Sequence, residues 1–480
     1  MNHNLVWHIL GNLLIVSSAT MVVPLGVSIY YKENDFLLWI TTILITFTVG
    51  GLIRVFTKKE GELGHKDGFA VVSLGWLLLP LFGCIPFLLA DTFSNPIDAY
   101  FECMSGYTTT GATVIDDIEV QPLSILFWRS LIQWLGGMGI IVLSIAILPL
   151  LGVGGMQLFK AEVPGPVKDR LTPRVTSTAK ILWIFYVALS LAEFITLMIF
   201  GMSPFDSICH TFTTMATGGF STKNLSAGAY NNAYIEMTLT FFMITAGINF
   251  SLYYKMSQRK IRDVFKDEEF RFYIILIAVS TLLIAFVIYP KDAPSMGIAI
   301  RLSIFQTVSM LTTTGYCTAN FDLWPSFARF ALISLMIVGG CAGSTGGGVK
   351  HIRILILFKH GIRELRRMLY PGRVLPVKVN GKIVSNEVVT NVMGFFLIYI
   401  MIFFIATLII CYCGVDLVTS FSGVIACLSN IGPGLAKVGA VETYSHLPGI
   451  VKIVLSFCMV VGRLELYTVL LLFIPGLWRK

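Results

Sequence analysis

The chain has 480 residues, 55% of them hydrophobic and only 13% charged, with a formal net charge of +8. Such a composition excludes the ordinary soluble chain of about three domains that this length would otherwise suggest. It points to one polytopic membrane domain, and the placement of Lys and Arg along the chain accounts for the basic excess without a nucleic-acid partner.

From the N-terminus, Leu5 to Tyr30 is an apolar run with no Lys or Arg before it. It is too long for the core of a secretory signal and reads as a retained first span. The polar turn Lys32-Glu33-Asn34-Asp35 leads to a second span over 37–56. Apolar runs of about 20 residues suffice to cross a hydrocarbon core as helices. These two spans, within residues 1–66, stand outside the pattern that follows. From there one unit recurs four times: long helix, half-length helix, Thr/Gly turn, long helix. Unit one, residues 67–175, has spans over 69–90 and 123–150 and a short helix over 96–109. Unit two, 176–267, has spans over 180–202 and 234–254, with its short helix after Pro204. Unit three, 268–384, has spans over 271–290 and 327–358, with its short helix after Pro294. Unit four, 385–480, has spans over 388–414 and 448–474 and a short helix over 416–429. The expected fold class is all-α, with ten transmembrane helices and four re-entrant helices in fourfold pseudo-symmetry about a central path.

The turns carry the repeat. They read Thr108-Thr109-Thr110-Gly111-Ala112, Ala216-Thr217-Gly218-Gly219-Phe220, Thr312-Thr313-Thr314-Gly315-Tyr316 and, more loosely, Ser429-Asn430-Ile431-Gly432-Pro433. With Gly111, Gly218, Gly315 and Gly432 as markers, the spacings are 107, 97 and 117 residues. A helix that stops halfway across a membrane leaves carbonyls unpaired, which is tolerated only where protein buries them or they line a watery cavity. Four such ends about one axis make a ring of oxygens. The candidate ligands are Thr109, Thr110 and Gly111, Thr217 and Gly218, Thr313, Thr314 and Gly315, and Asn430, Ile431 and Gly432. These oxygens can replace the hydration shell of a monovalent cation. The partly negative C-terminal ends of the short helices favour a cation at the same point. Asn430 and Ile431 interrupt the threonine pattern, so the fourth quarter is the least regular.

Sidedness follows from Lys and Arg. The segments after spans 2, 4, 6 and 8 and the C-terminal Arg479-Lys480 hold 26 of the 35 basic residues. An even number of spans puts both termini on that cytoplasmic side, with the four turns opening to the opposite face. The longest basic stretch, Lys350 to Lys382, reads equally as a surface for anionic lipid headgroups or as a docking surface for a soluble partner. Near the outer mouth, Glu102, Asp116, Asp117, Glu119 and Asp322 either concentrate cations or form a merely solvated rim.

Two further features lie inside spans. Gly339-Gly340-Cys341-Ala342-Gly343-Ser344-Thr345-Gly346-Gly347-Gly348 interrupts span 8. Each glycine costs about 1 kcal/mol against alanine in a helix, so the run unwinds the middle of the span. It is either a kink for close helix packing or a plug beneath the ring, with Gly343, Ser344, Thr345, Gly346, Gly347, Gly348 and Lys350 as gating candidates. Arg463, inside span 10, needs a cavity or a partner, because a central arginine costs about 2.5–3.5 kcal/mol even on lenient insertion scales. It belongs either to a local ion pair or to a latch on the 343–348 carbonyls, and Glu465, two residues on, is poorly placed to pair with it.

Over its whole length the chain resembles the Trk/Ktr/HKT superfamily of potassium transporters, and most closely its bacterial potassium-uptake subunits. The resemblance lies in TTTGATV (108–114), ATGGFST (216–222), TTTGYCT (312–318), SNIGPGL (429–435), GGCAGSTGGGVK (339–350) and GRLE (462–465). It implies a homodimeric, potassium-conducting subunit of the bacterial inner membrane, gated by an intramembrane loop and by a TrkA-like cytoplasmic nucleotide-binding ring. K+ and Rb+ would be carried, Na+ less well, and no nucleotide would be bound by this chain. Glycine in all four turns goes with potassium preference in the superfamily.

The competing reading is an ion-coupled (H+ or Na+) potassium symporter with alternating access. It requires carboxylates at mid-membrane, for which Glu193 and Glu465 are the nearest candidates. No nucleophile–base pairing, metal-ligand spacing or phosphate-binding loop is legible, so an enzyme is not expected. The nine cysteines are scattered and read as small buried hydrophobes.

Overall fold

A computed structural model describes residues 1–58, 64–146 and 173–478. Lys59, Lys160, Lys168, Arg170, the Arg479-Lys480 terminus and the expected end of the span over 123–150 lie outside the described residues. The fold is mostly helical. Its one departure is a two-stranded antiparallel ladder, Lys378–Val379 with Lys382–Ile383, in the basic segment.

Among the described residues, six helices are long and apolar enough to cross a membrane: His3–Tyr30, Phe36–Phe56, Lys66–Leu89, Ala179–Ile199, Glu268–Ile288 and Asn386–Tyr412. The first two pack closely because a glycine faces a glycine. A Cβ at Gly11 would lie 2.9 Å from the Gly50 carbonyl oxygen, and the reverse holds at the same distance. Leu123–Ala146 forms one further long helix.

The other second helices of the units are broken, as expected at the glycine run of unit three but not in units two and four, where continuous spans were expected. In unit two, Ala233–Gly247 and Phe250–Ser257 meet at 91°. In unit four, Gly449–Arg463 and Tyr467–Phe473 meet at 113°. In unit three, Ser326–Val338 ends at the glycine run, and a new helix, His351–Leu369, begins beyond it.

The half-length helices are Pro96–Tyr107, Pro204–Met215, Met296–Leu311 and Leu417–Leu428. Three have 12 residues and span about 18 Å, well short of a hydrocarbon core of about 30 Å. Each starts at a side-chain cap. Asn95, Ser203, Ser295 and Asp416 accept the N–H groups of Ile97, Asp206, Ile298 and Thr419 at 3.0, 3.1, 3.3 and 3.0 Å. Proline at the first position of the first two helices needs no N–H partner there.

Burial inverts the soluble pattern. The six long apolar helices bury only 22–39% of their most apolar windows, leaving apolar flanks facing outward. The short helices, the last three with several Ser and Thr each, are buried along almost their whole second half. Polar backbone ends therefore sit inside a jacket of apolar helices, the arrangement that hydrocarbon surroundings demand. All nine cysteines are free, and seven are buried.

Candidate ion-pathway site

All four short helices end in the same way. The residue after the cap, Thr109, Thr217, Thr313 or Asn430, is left-handed, with φ of 52°, 53°, 61° and 57°. Its N–H bonds to Gly106, Thr214, Met310 or Cys427, and the next N–H bonds to Ser105, Thr213, Ser309 or Ala426. This paired pattern is a Schellman motif, normally finished by glycine. Threonine at positive φ is an outlier that persists only where the surroundings over-determine it. The motif uses the helix-end carbonyls up and throws the following ones forward.

Two residues after each left-handed position stands a glycine of positive φ: Gly111, Gly219, Gly315 and Gly432. In the second turn the equivalent residue is thus Gly219. Gly218, the marker expected from sequence, sits one position earlier, level with Thr110, Thr314 and Ile431. The four turns meet. A Cβ on Gly111 would overlap the carbonyl oxygen of Gly218, one on Gly219 that of Thr314, and one on Gly315 that of Ile431. On Gly432 it would lie 2.7 Å from the oxygen of Thr110. Each turn thus abuts the next and the fourth abuts the first, closing a ring. Among the described residues no hydrogen bond reaches the carbonyls of Thr110, Thr314 and Ile431, whereas Gln133 donates to that of Gly218 at 2.8 Å. The fourth turn is tied to the first through Asn430, whose amide donates to Thr110 Oγ1 at 3.0 Å and to the Met459 carbonyl at 2.9 Å.

The glycine run folds directly against this ring. Gly347 N–H donates to Thr313 Oγ1 at 2.7 Å, and the Thr345 hydroxyl lies 3.0 Å from the carbonyl of Met215 and 3.3 Å from that of Ala246. Cys341 N–H donates to the Gly247 carbonyl, and Phe250 N–H donates to that of Gly343, so the break in unit two is stitched to the run. Ser344 is buried and bonds back to the Cys341 carbonyl. Gly346 and Gly348 are held within the same loop.

Arg463, 2% exposed, donates from Nη1 to the Thr345 carbonyl at 2.7 Å and from Nη2 to the Gly136 carbonyl at 3.2 Å. Glu465 does not pair with it. Instead Glu465 accepts Lys350 Nζ at 2.7 Å and also pairs with Arg353. Lys350, a gating candidate by its place in the sequence, is therefore engaged by a carboxylate.

The acidic residues divide. Asp116 accepts from Thr443, Asp117 from Asn224, and Asp322 from the Ala436 N–H, all on the outer loops. Partial burial raises the Asp322 carboxyl above its ordinary value. Glu102 is not on that rim: it is fully buried against Arg129 at 2.8 Å. Sequence reasoning passed over this pair because its members are 27 residues apart on different helices. Glu193 is also fully buried, and neither carboxylate oxygen has a partner among the described residues.

Comparison with known proteins agrees with this architecture. The sequence model of the TrkH family, described as a cation transport protein, matches residues 38–480. The chain is 40% identical over 484 residues to the Trk system potassium uptake protein TrkH of Halomonas elongata, covering all of both chains. It is 37% identical over 479 residues to the Trk system potassium uptake protein TrkG of Escherichia coli, covering 99% of this chain and 98% of that protein. The crystal structure of the potassium transporter TrkH from Vibrio parahaemolyticus superposes with a TM-score of 0.92 at 37% identity, covering all of both chains. The chain belongs to the TrkH family of cation transport proteins, a family of transporters and not of enzymes.

Proposed function

We propose that the chain takes up potassium across the bacterial inner membrane through the ring of backbone carbonyls at 109–111, 217–219, 313–315 and 430–432. The observation that carries this reading is the closure of the four turns on one another, each ring glycine against the carbonyl that precedes the next. A dehydrated cation on the axis would exchange water for carbonyl oxygens. The topology that accompanies it has ten spans, four re-entrant helices and both termini in the cytoplasm. It is supported by the biased placement of Lys and Arg. The loop 343–348, latched by Arg463, serves as the gate. A TrkA-like cytoplasmic ring acting on the basic segment 350–382, and a homodimeric assembly, complete the proposal.

The test is rubidium uptake into proteoliposomes with sodium competition, comparing the parent chain with Gly219→Ser and Gly315→Ser. The variants are expected to lose discrimination against sodium; unchanged ratios remove the ring assignment. A second reading, coupled symport, is favoured by one observation, the buried and unpartnered carboxylate of Glu193. It predicts that an imposed proton gradient alone drives rubidium accumulation, and that Glu193→Gln abolishes this.

A further inference from the structure

We infer that the buried Glu102–Arg129 pair is a positioning strut that fixes the separation of the first two turns and thereby sets discrimination between potassium and sodium. The inference rests on reading the ring as an ion filter. Glu102 lies on the first short helix and Arg129 on the long helix Leu123–Ala146, and they are 0% and 1% exposed. From the pair, bonds run to both turns. Glu102 Oε2 accepts the Val114 N–H at 2.8 Å, and Oε1 accepts the Thr113 hydroxyl at 3.0 Å. Val114 and Thr113 follow Gly111 on the outgoing arm of turn one. Arg129 donates from Nη1 to the Ser221 carbonyl at 3.2 Å, and its guanidinium lies 4.0 Å from the centroid of Phe220. Phe220 and Ser221 follow Gly219 on the outgoing arm of turn two. A third donation, Nη2 to Thr113 Oγ1 at 3.2 Å, ties the guanidinium back to turn one.

One planar fork therefore holds two neighbouring arms at a set distance just beyond the ring. A ring that contracts fits a smaller ion, so whatever resists its contraction weighs on selection by size. Arginine suits the role because its donors are rigidly spread, whereas a lysine ammonium supplies one point on a flexible stem. The backing differs elsewhere. Between turns two and three, the Tyr316 hydroxyl bonds to Thr213 and to the His210 carbonyl. Behind turn four, the Tyr444 hydroxyl donates to the Gly432 carbonyl at 2.7 Å. The other ion pairs made by short helices, Asp98–Lys452 and Arg301–Glu236, each have a partly exposed member. Among the described residues, only the junction of turns one and two is backed by a fully buried ion pair.

The experiment compares rubidium uptake and its inhibition by sodium in proteoliposomes of the parent chain, Arg129→Lys, Glu102→Gln, Thr113→Val and Gly315→Ser. Arg129→Lys is expected to lower the rubidium-to-sodium ratio roughly threefold to tenfold, the net scale of losing one ordinary hydrogen bond. Glu102→Gln is expected to act in the same direction. Thr113→Val keeps the ion pair and removes only the hydroxyl both members share, so it gives a smaller fall and serves if the charge variants do not fold. A merely structural role would reduce the number of active molecules and leave the ratio unchanged in all three, which overturns the inference. If Gly315→Ser shifts the ratio and the strut variants do not, the strut fails and the filter stands. If Gly315→Ser leaves the ratio unchanged, the filter reading itself fails.

Discussion

At the scale of single residues, the second turn offers a sharp comparison because two glycines adjoin. A side chain at Gly219 would strike the backbone oxygen of Thr314, which cannot retreat without deforming the third turn. One at Gly218 would meet the side-chain amide of Gln133, which can rotate at the cost of its bond to the Gly218 carbonyl. Gly219 also has φ of 75°, a conformation that an L side chain adopts under strain, and Gly218 does not share it. Gly219→Ala is therefore expected to reduce rubidium uptake and potassium preference more than Gly218→Ala, as read by flux and sodium competition. The opposite order would place the second marker where the sequence motif alone suggested. Thr313 carries a different load: its hydroxyl accepts the Gly347 N–H from the loop below. Thr313→Ala retains the strained backbone and deletes that acceptor, so basal flux should rise while selectivity holds.

At the scale of elements, the loop 343–348 is fastened at several points, and the fastenings separate by mutation. Arg463→Ala removes the donation to the Thr345 carbonyl and should raise partner-independent uptake, as should deletion of Ser344–Gly348. Thr345→Val removes the hydroxyl that faces the Met215 and Ala246 carbonyls but keeps the Arg463 contact, and should fall between parent and Arg463→Ala. Flat or reduced uptake in all three would remove the gate. Glu465 tests the hinge beneath. Glu465→Gln leaves Lys350 and Arg353 buried without a carboxylate, a loss of about 3–5 kcal/mol, visible as a lower unfolding temperature of the purified protein.

These same elements mark how far the sequence could be read. The short helices, with their Pro, Ser, Asn and Asp starts and Thr/Gly ends, announce themselves through local chemistry that a single chain carries openly. So does the glycine run, since repeated glycine unwinds a helix wherever it falls. The break at 248–249 carries only Gly247 and the Asn249 cap inside an otherwise apolar run, and that at 464–466 leaves no such mark. Leu466 and Glu465 are left-handed with φ of 54° and 58°, although neither residue type favours it. Glu465 is held there by cations more than a hundred residues away in sequence. Tertiary ion pairing overrode local preference, and periodicity read the span as continuous. The register slip at Gly218/Gly219 has a similar origin: two adjacent glycines are alike in sequence and differ in φ and in what a side chain there would meet.

At the scale of the whole molecule, the four units make a ring whose joints are unequal. At three of them, a side chain on the ring glycine would overlap the facing oxygen outright, whereas at Gly432 it would stand 2.7 Å from Thr110 O. The fourth turn is also the one whose sequence departs from threonine, and it compensates through the Asn430 amide, which reaches across to Thr110 and to the Met459 carbonyl. Space and bonding thus vary together: among the described residues, the roomiest joint is the one where a side chain bonds directly from one turn to the next. Two consequences follow. Gly432→Ala should be the best tolerated of the four ring-glycine substitutions, retaining the largest share of rubidium uptake. Asn430→Thr restores the sequence pattern of the other turns yet removes the bridging amide, so potassium preference should fall and not improve. Rubidium flux with sodium competition, measured across Gly111→Ala, Gly219→Ala, Gly315→Ala, Gly432→Ala and Asn430→Thr in one lipid, decides both. If Gly432→Ala proves as damaging as Gly315→Ala, the joints are equivalent in solution. If Asn430→Thr raises selectivity, the ring works by chemical symmetry, and the amide bridge is incidental to it.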